Sequence, residues 1–267
     1  MTGMGKPTMR ILHNLARSGG TVIGKCLGCM KNVYLLSEIH PQGSNRFNPI
    51  KQAHDWHGLL DQETISEISK QGGISFPEAI RIIDLECRKR DGYLVLRDWA
   101  HLDFMAVPFL PEPRYYFLLE EVLKSSFDLR QFAIVRHPVD EWLSLRKLAI
   151  LNGKLNLDAY MEGYFRFAEH AVRIGYVRYE DFTKEPEKIM KQLCDMLQID
   201  FDPDFIHQWH DYDKITGDVR QSSRGSKLRQ IVPLKRAPME SGLLEKFHNN
   251  RHYMKSLELL GYADVSR

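Results

Sequence analysis

The chain has 267 residues, 43% hydrophobic and 27% charged. These proportions exclude a disordered chain and a membrane-embedded one and leave a packed globular protein. Its 37 basic and 35 acidic side chains give a formal charge of +2, too balanced to coat nucleic acid or anionic lipid by bulk electrostatics, so any anion site is local. Four cysteines without framework spacing argue against a disulfide-stapled secreted domain. The opening residues are short and polar, and nowhere do about 18 apolar residues run together. The expectation is a cytoplasmic protein with no membrane span and no nucleic-acid partner. No linker-like tract interrupts residues 1–267, so one domain is expected.

In chain order, Arg10 to Ala16 is a short apolar run broken by Arg17-Ser18-Gly19-Gly20-Thr21. After the break Val22, Ile23, Cys26, Leu27 and Met30 recur at spacings of three and four, which reads as strand, glycine turn, helix. Asn32 to Leu36 reads as a second strand, and Ser37 to Asp61 carries no clear period. Ser75, Pro77 and Glu78 form a capping-box signature ahead of a helix with Ala79, Ile80, Ile82, Ile83 and Cys87 on its apolar face. Tyr93 to Leu96 reads as a buried strand, Phe117 to Lys124 as a helix, and Phe132 to Val135 as a strand buried on both faces. Helices are expected over Val139 to Leu151 and Leu157 to Val172, a strand over Gly175 to Tyr179, and a helix over Pro186 to Leu197. Strands alternating with helices specify an α/β fold, a central mostly parallel sheet flanked by helices. Ligands of such sheets bind beyond the carboxyl ends of the strands.

The first strand-to-helix turn, Gly19 to Cys26, matches G-x-x-x-x-G-K-[ST] except that Cys26 replaces the hydroxyl residue. A thiol is a poor Mg²⁺ ligand, and the best apolar strand ends in the cation Arg136 rather than a metal-binding Asp. The turn still offers backbone N–H groups at a helix N-terminus, with Arg17, Ser18 and Thr21 beside them, so a phosphate cradle working without metal is the simpler reading. The bland alternative is a turn that only reverses the chain. Arg136, closing the Phe132 strand, precedes Ser144 by eight residues, about 12 Å if the interval were wholly helical.

These two motifs, Arg17-Ser18-Gly19-Gly20-Thr21 and Arg136 to Ser144, together with Val177-Arg178-Tyr179-Glu180-Asp181-Phe182, resemble the sulfotransferases that use 3′-phosphoadenosine-5′-phosphosulfate (PAPS). The resemblance spans roughly residues 10 to 200. It implies a P-loop NTPase-like three-layer sandwich and transfer of a sulfuryl group from PAPS to an acceptor hydroxyl, leaving PAP. Arg17, Ser18, Gly19, Gly20, Thr21 and Val22 would then bind the 5′-phosphosulfate, Arg136 and Ser144 the 3′-phosphate, and Tyr179 would approach the adenine. Ser223-Arg224-Gly225 resembles the family's late Arg-Gly segment, so Arg224 and Gly225 would close on the 3′-phosphate; a solvated basic loop is the plainer reading of that stretch. Arg17 stands where the cytosolic aryl and steroid branch usually has Lys; Arg is instead common in the carbohydrate-type and many bacterial members. The resemblance implies a small-molecule or carbohydrate acceptor and leaves branch and acceptor open.

Arg17 keeps its proton, so its expected role is to stabilise charge on the leaving group. A hydroxyl acceptor also needs a base. His101, following the Tyr93 strand, is the first choice, with Asp98 as the base itself or as the group that orients it. Glu38 and His40, after the second strand, are rivals. The competing enzyme class is a Mg²⁺-ATP small-molecule kinase with a degenerate Walker loop. Cys26 and Cys29 share a helix without a second pair, and the His54/His57 and His207/His210 spacings lack a third ligand, so no metal site is expected.

Overall fold

Alternation along the strands decides which layer each helix occupies. The computed structural model describes residues 5–70, 72–217 and 229–265. Its strands are β1 (Thr8–Asn14), β2 (Val33–Ile39), β3 (Tyr93–Asp98), β4 (Asp128–Val135) and β5 (Tyr176–Arg178). They form one sheet in the order β2-β3-β1-β4-β5, with every neighbouring pair parallel. Leu12, Phe132, Ile134, Leu35 and Val95 face a layer built on helix α1 (Gly20–Gly28) and the Pro186–Leu197 helix. Their neighbours Met9, Ile11, Leu36, Leu94 and Leu96 face the Phe76–Arg88 helix. Ala133 and Val135 face the Leu157–Ile174 and Arg251–Leu260 helices. Burying both faces this way leaves apolar strands with no polar side, as their composition anticipated, and each fully buried Leu, Ile or Phe contributes about 1.5–3 kcal/mol.

Several local expectations change. Ser75 is the N-cap of the Phe76–Arg88 helix, but its side chain makes no capping bond, so the bond to the Glu78 amide that a capping box requires does not form. The expected helix over Val139 to Leu151 runs only Pro138–Leu145, followed by a 3₁₀ turn at Ala149–Leu151. Leu145 and Leu151 both enter one core; a continuous helix would put residues six apart on different faces, so the chain breaks between them. The stretch without a clear period holds a helix at Pro49–Asp55, whose N-cap Asn48 accepts from the Ile50 and Lys51 amides. Among the described residues no helix is long and apolar enough to cross a membrane, and no group of three or more His, Cys, Asp or Glu is arranged to hold a metal ion.

Candidate functional site

The carboxyl ends of the strands open into a cavity of about 420 Å³, within the range of small-molecule sites. Among the described residues, the cations Arg17, Lys25, Arg97, Arg136 and Lys147 line it, against the carboxylates Glu38 and Asp98. That excess asks for a ligand with several negative charges.

The anion cradle begins where β1 ends. Arg17 and Gly19 both adopt left-handed backbone, φ 73° and 103°, and Gly19 caps α1. The turn aims the first amides of α1, which have no partner within the helix, into the cavity. Holding Arg17 there costs about 1–2 kcal/mol, a strain typical of ligand clamps. The Arg17 Nε donates to Ser144 Oγ at 2.9 Å, and Arg136 Nη1 donates to the Arg17 carbonyl at 3.0 Å. The Arg136 guanidinium lies 5.0 Å from the centre of the Tyr179 ring. That ring covers Gly19 so closely that a Cβ there would overlap it, as a Cβ at Gly20 would overlap the Asn14 amide. Gly19→Ala therefore meets both a clash and an unfavourable φ. The expected result is a loss of about 1–3 kcal/mol of stability in urea unfolding, accompanied by loss of anion binding as Tyr179 is pushed aside.

Glu38, which also lines the cavity, occupies a bulge: the β2–β3 register shifts between Ser37 and Ile39, and Glu38 has φ 55°. The bulge turns its side chain into the cavity, the usual use of such a device. A Cβ built on Gly217 would lie 3.7 Å from Glu38 Oε1 and 3.0 Å from Thr21 Oγ1, so this carboxylate stands beside the anion cradle. Its nearest cation is Arg97, at 3.6 Å. Arg97 is held by Ser37 Oγ at 2.7 Å and by the Thr216 carbonyl at 3.0 Å; burial lowers its pKa, opposed by Glu38, yet a guanidinium stays charged. Asp98 is fully buried and accepts from His13 Nδ1 at 2.7 Å through Oδ2, while its Oδ1 has no partner. Trp99 adds an aromatic wall. A strap from Gln230 to Ala237 covers the cavity, tied down by a two-pronged Arg236–Asp140 pair at 2.9 and 2.8 Å.

No family model matches the chain, and no curated protein does. Among solved structures, the sulfotransferase domain from the curacin biosynthetic pathway superimposes with a TM-score of 0.63 over 97% of this chain and 99% of that domain, at 18% identity. The sulfotransferase domain of the Synechococcus PCC 7002 olefin synthase does so with a TM-score of 0.54 over 99% and 92%, at 12% identity. The chain has the sulfotransferase fold.

Within that sulfotransferase fold, the structure brings together Arg17, Gly19, Gly20, Thr21, Val22, Arg136, Ser144, Tyr179 and Asp98 around one cavity. Ser18 is turned away; it is buried and its hydroxyl donates to the Leu15 carbonyl at 2.8 Å. His101 also misses the cavity. The turn that follows β3, with Leu102 N bonded to Trp99 O and Asp103 N to Ala100 O, carries His101 inward, where its Nε2 meets the Val107 carbonyl at 3.0 Å. Burial lowers its pKa to about 4, too low for a base that titrates near neutrality. His40 is buried against Asp103 at 3.1 Å, again outside the cavity. Arg224 and Gly225 lie outside the described residues.

The Walker spacing does not form a Walker loop. α1 starts at Gly20, so Gly24 and Lys25 lie inside the helix. There Gly24 and Gly28 admit Ile215 and Tyr212, and Lys25 donates to the His210 carbonyl at 3.2 Å. Reading the residues in order missed Lys25 and Lys147 as cavity residues, and pointed to the strand end at Arg97 without giving that cation a role. Arg97 alone carried a signal, as a cation closing an apolar strand in the way Arg136 does.

Proposed function

We propose that this protein transfers the sulfuryl group of PAPS to an acceptor hydroxyl and releases PAP. The observation that carries this reading is the convergence of three sequence motifs on one cavity: Arg17 on Ser144, Arg136 on the Arg17 carbonyl, and Tyr179 between Arg136 and Gly19. A nucleotide with phosphates on both the 5′ and the 3′ carbon of one ribose needs two adjoining anion sites. The Gly19–Val22 amides with Arg17 supply one, and Arg136 with Ser144 the other.

In the reaction the acceptor oxygen bonds to sulfur, the bond from sulfur to the bridging oxygen breaks, and its electron pair leaves on the 5′-phosphate of PAP. Arg17 and the α1 amides stabilise that growing charge. Glu38 takes the acceptor's proton. Its carboxylate stands beside Thr21, unlike His101, and Arg97, 3.6 Å away, holds it in place. Trp99 and the strap residues Ile231, Val232 and Leu234 would shape the acceptor end, and a small molecule or carbohydrate remains the expected class of acceptor.

Calorimetric titration tests the reading. PAP is expected to bind in the micromolar range or tighter without metal, and ATP with Mg²⁺ to bind far more weakly. Preference for Mg²⁺-ATP with indifference to PAP would overturn it in favour of a kinase.

A further inference from the structure

Strand β2 is an edge of the sheet, and the outward N–H and C=O groups of an edge strand need partners. Side chains from the stretch without a clear period supply them. Gln52, on the Pro49–Asp55 helix and 5% exposed, accepts from the Ser37 amide at 2.7 Å through Oε1 and donates to the Ser37 carbonyl at 2.8 Å through Nε2. One side-chain amide thus gives Ser37 both of the bonds that a further strand would give it, and the two backbone groups leave that amide a single orientation. Two residues earlier on the same edge, His57 Nε2 donates to the Leu35 carbonyl at 2.9 Å.

The two contacts differ in what lies beside them. The Ser37 carbonyl belongs to the peptide that joins Ser37 to Glu38, where the register shifts and φ becomes 55°. A residue other than glycine keeps left-handed backbone only where its surroundings hold it there. On its other side, Ser37 Oγ accepts from Arg97 Nε at 3.1 Å, from Arg97 Nη2 at 2.7 Å and from the Thr216 amide at 3.0 Å. Ser37 is therefore clamped through its main chain by Gln52 and through its side chain by Arg97 and Thr216, immediately before the bulge. Leu35 instead lies in regular pairing with Val95.

We propose that Gln52 is a positioning residue for Glu38: by fixing the Ser37–Glu38 peptide it sets the bulge that turns the carboxylate into the cavity. The inference rests on the reading of Glu38 as the base.

The test sets Gln52→Met, which keeps the length of the side chain and loses both bonds, against His57→Phe, which loses the bond to Leu35. Water serves as the acceptor. In a single turnover its oxygen bonds to sulfur, the bond from sulfur to the bridging oxygen breaks with its electron pair leaving on PAP, and Glu38 takes a proton, so ³⁵S-sulfate is released from labelled PAPS. Gln52→Met is expected to slow that release by at least about tenfold, a part of what a general base contributes, with PAP affinity by calorimetry unchanged. His57→Phe is expected to lower the urea midpoint and keep the wild-type rate. In a Glu38→Gln background Gln52→Met should slow release no further, the non-additivity of residues that act through one another. The same slowing in both backgrounds, the same slowing by both edge variants, or a wild-type rate in Gln52→Met overturns the proposal.

Crystal structures of the wild type and Gln52→Met give a readout that needs no turnover. A Glu38 carboxylate turned out of the cavity in the variant supports the proposal; one that keeps its left-handed backbone and its contact with Arg97 overturns it. Should Gln52→Met fail to fold, Gln52→Asn, whose amide is one methylene too short to make both bonds at once, takes its place. Absence of PAP binding to the wild type, or a wild-type rate in Glu38→Gln, would defeat the functional reading instead, and the crystal structures would still decide whether Gln52 sets Glu38.

Discussion

Glu38→Gln is expected to lower sulfuryl transfer by roughly 10²–10⁴-fold, the usual contribution of a general base, while PAP affinity stays near wild type. The reason is positional. Glu38 is turned into the cavity by the β2 bulge beside Thr21, yet it belongs to neither anion site. The amide keeps the volume and the contact with Arg97 but cannot take a proton. Single-turnover transfer from ³⁵S-labelled PAPS, set against calorimetric PAP binding, separates the two effects. Equal rates in wild type and variant would move the base to Asp98, the other carboxylate of the cavity. Weakened PAP binding would mean instead that Glu38 holds the cradle together through Arg97.

Arg136→Ala is expected to weaken PAP binding by about 100-fold or more, about 2.8 kcal/mol, in the range found when one partner of a buried charge pair is removed. Three consequences compound. The charge facing a phosphate is lost, the bond that steadies the Arg17 carbonyl goes with it, and the Tyr179 ring loses the cation above it. Arg136→Lys would keep the charge without the planar, multi-donor geometry, and should recover only part of the affinity. Calorimetric titration of both variants measures this; undiminished affinity in Arg136→Ala would place the phosphate elsewhere in the cavity.

The bulk of the layered fold was legible because it depends on local pattern. Runs such as Phe132 to Val135 are apolar at every position, a composition that suits only a strand covered on both faces, and Gly19 marks a turn whose backbone no other residue adopts comfortably. The loop proposed as the anion cradle was legible for a related reason: amides at a helix N-terminus and cations at strand ends lie where the topology of any parallel α/β sheet delivers them.

The carboxylate proposed as the base was not legible in the same way. His101 and Glu38 are both polar residues just past strands, and nothing in their neighbours says which one enters the cavity. A one-residue bulge turned Glu38 inward and a tight turn after β3 turned His101 away; both are decisions of strand register and packing. Lys25 and Trp209 are too far apart in the chain for any spacing rule to join them, and the close packing of the 209–216 segment on Gly24 and Gly28 brings them to one cavity. The sequence by itself determined the α/β layering, the glycine turn after the first strand and the cationic strand end at Arg136, because these follow from the properties of single residues and their near neighbours. Only the tertiary structure decided which carboxylates face the cavity and that Lys25 and Trp209 share it, because those relations arise from contacts between segments distant in sequence.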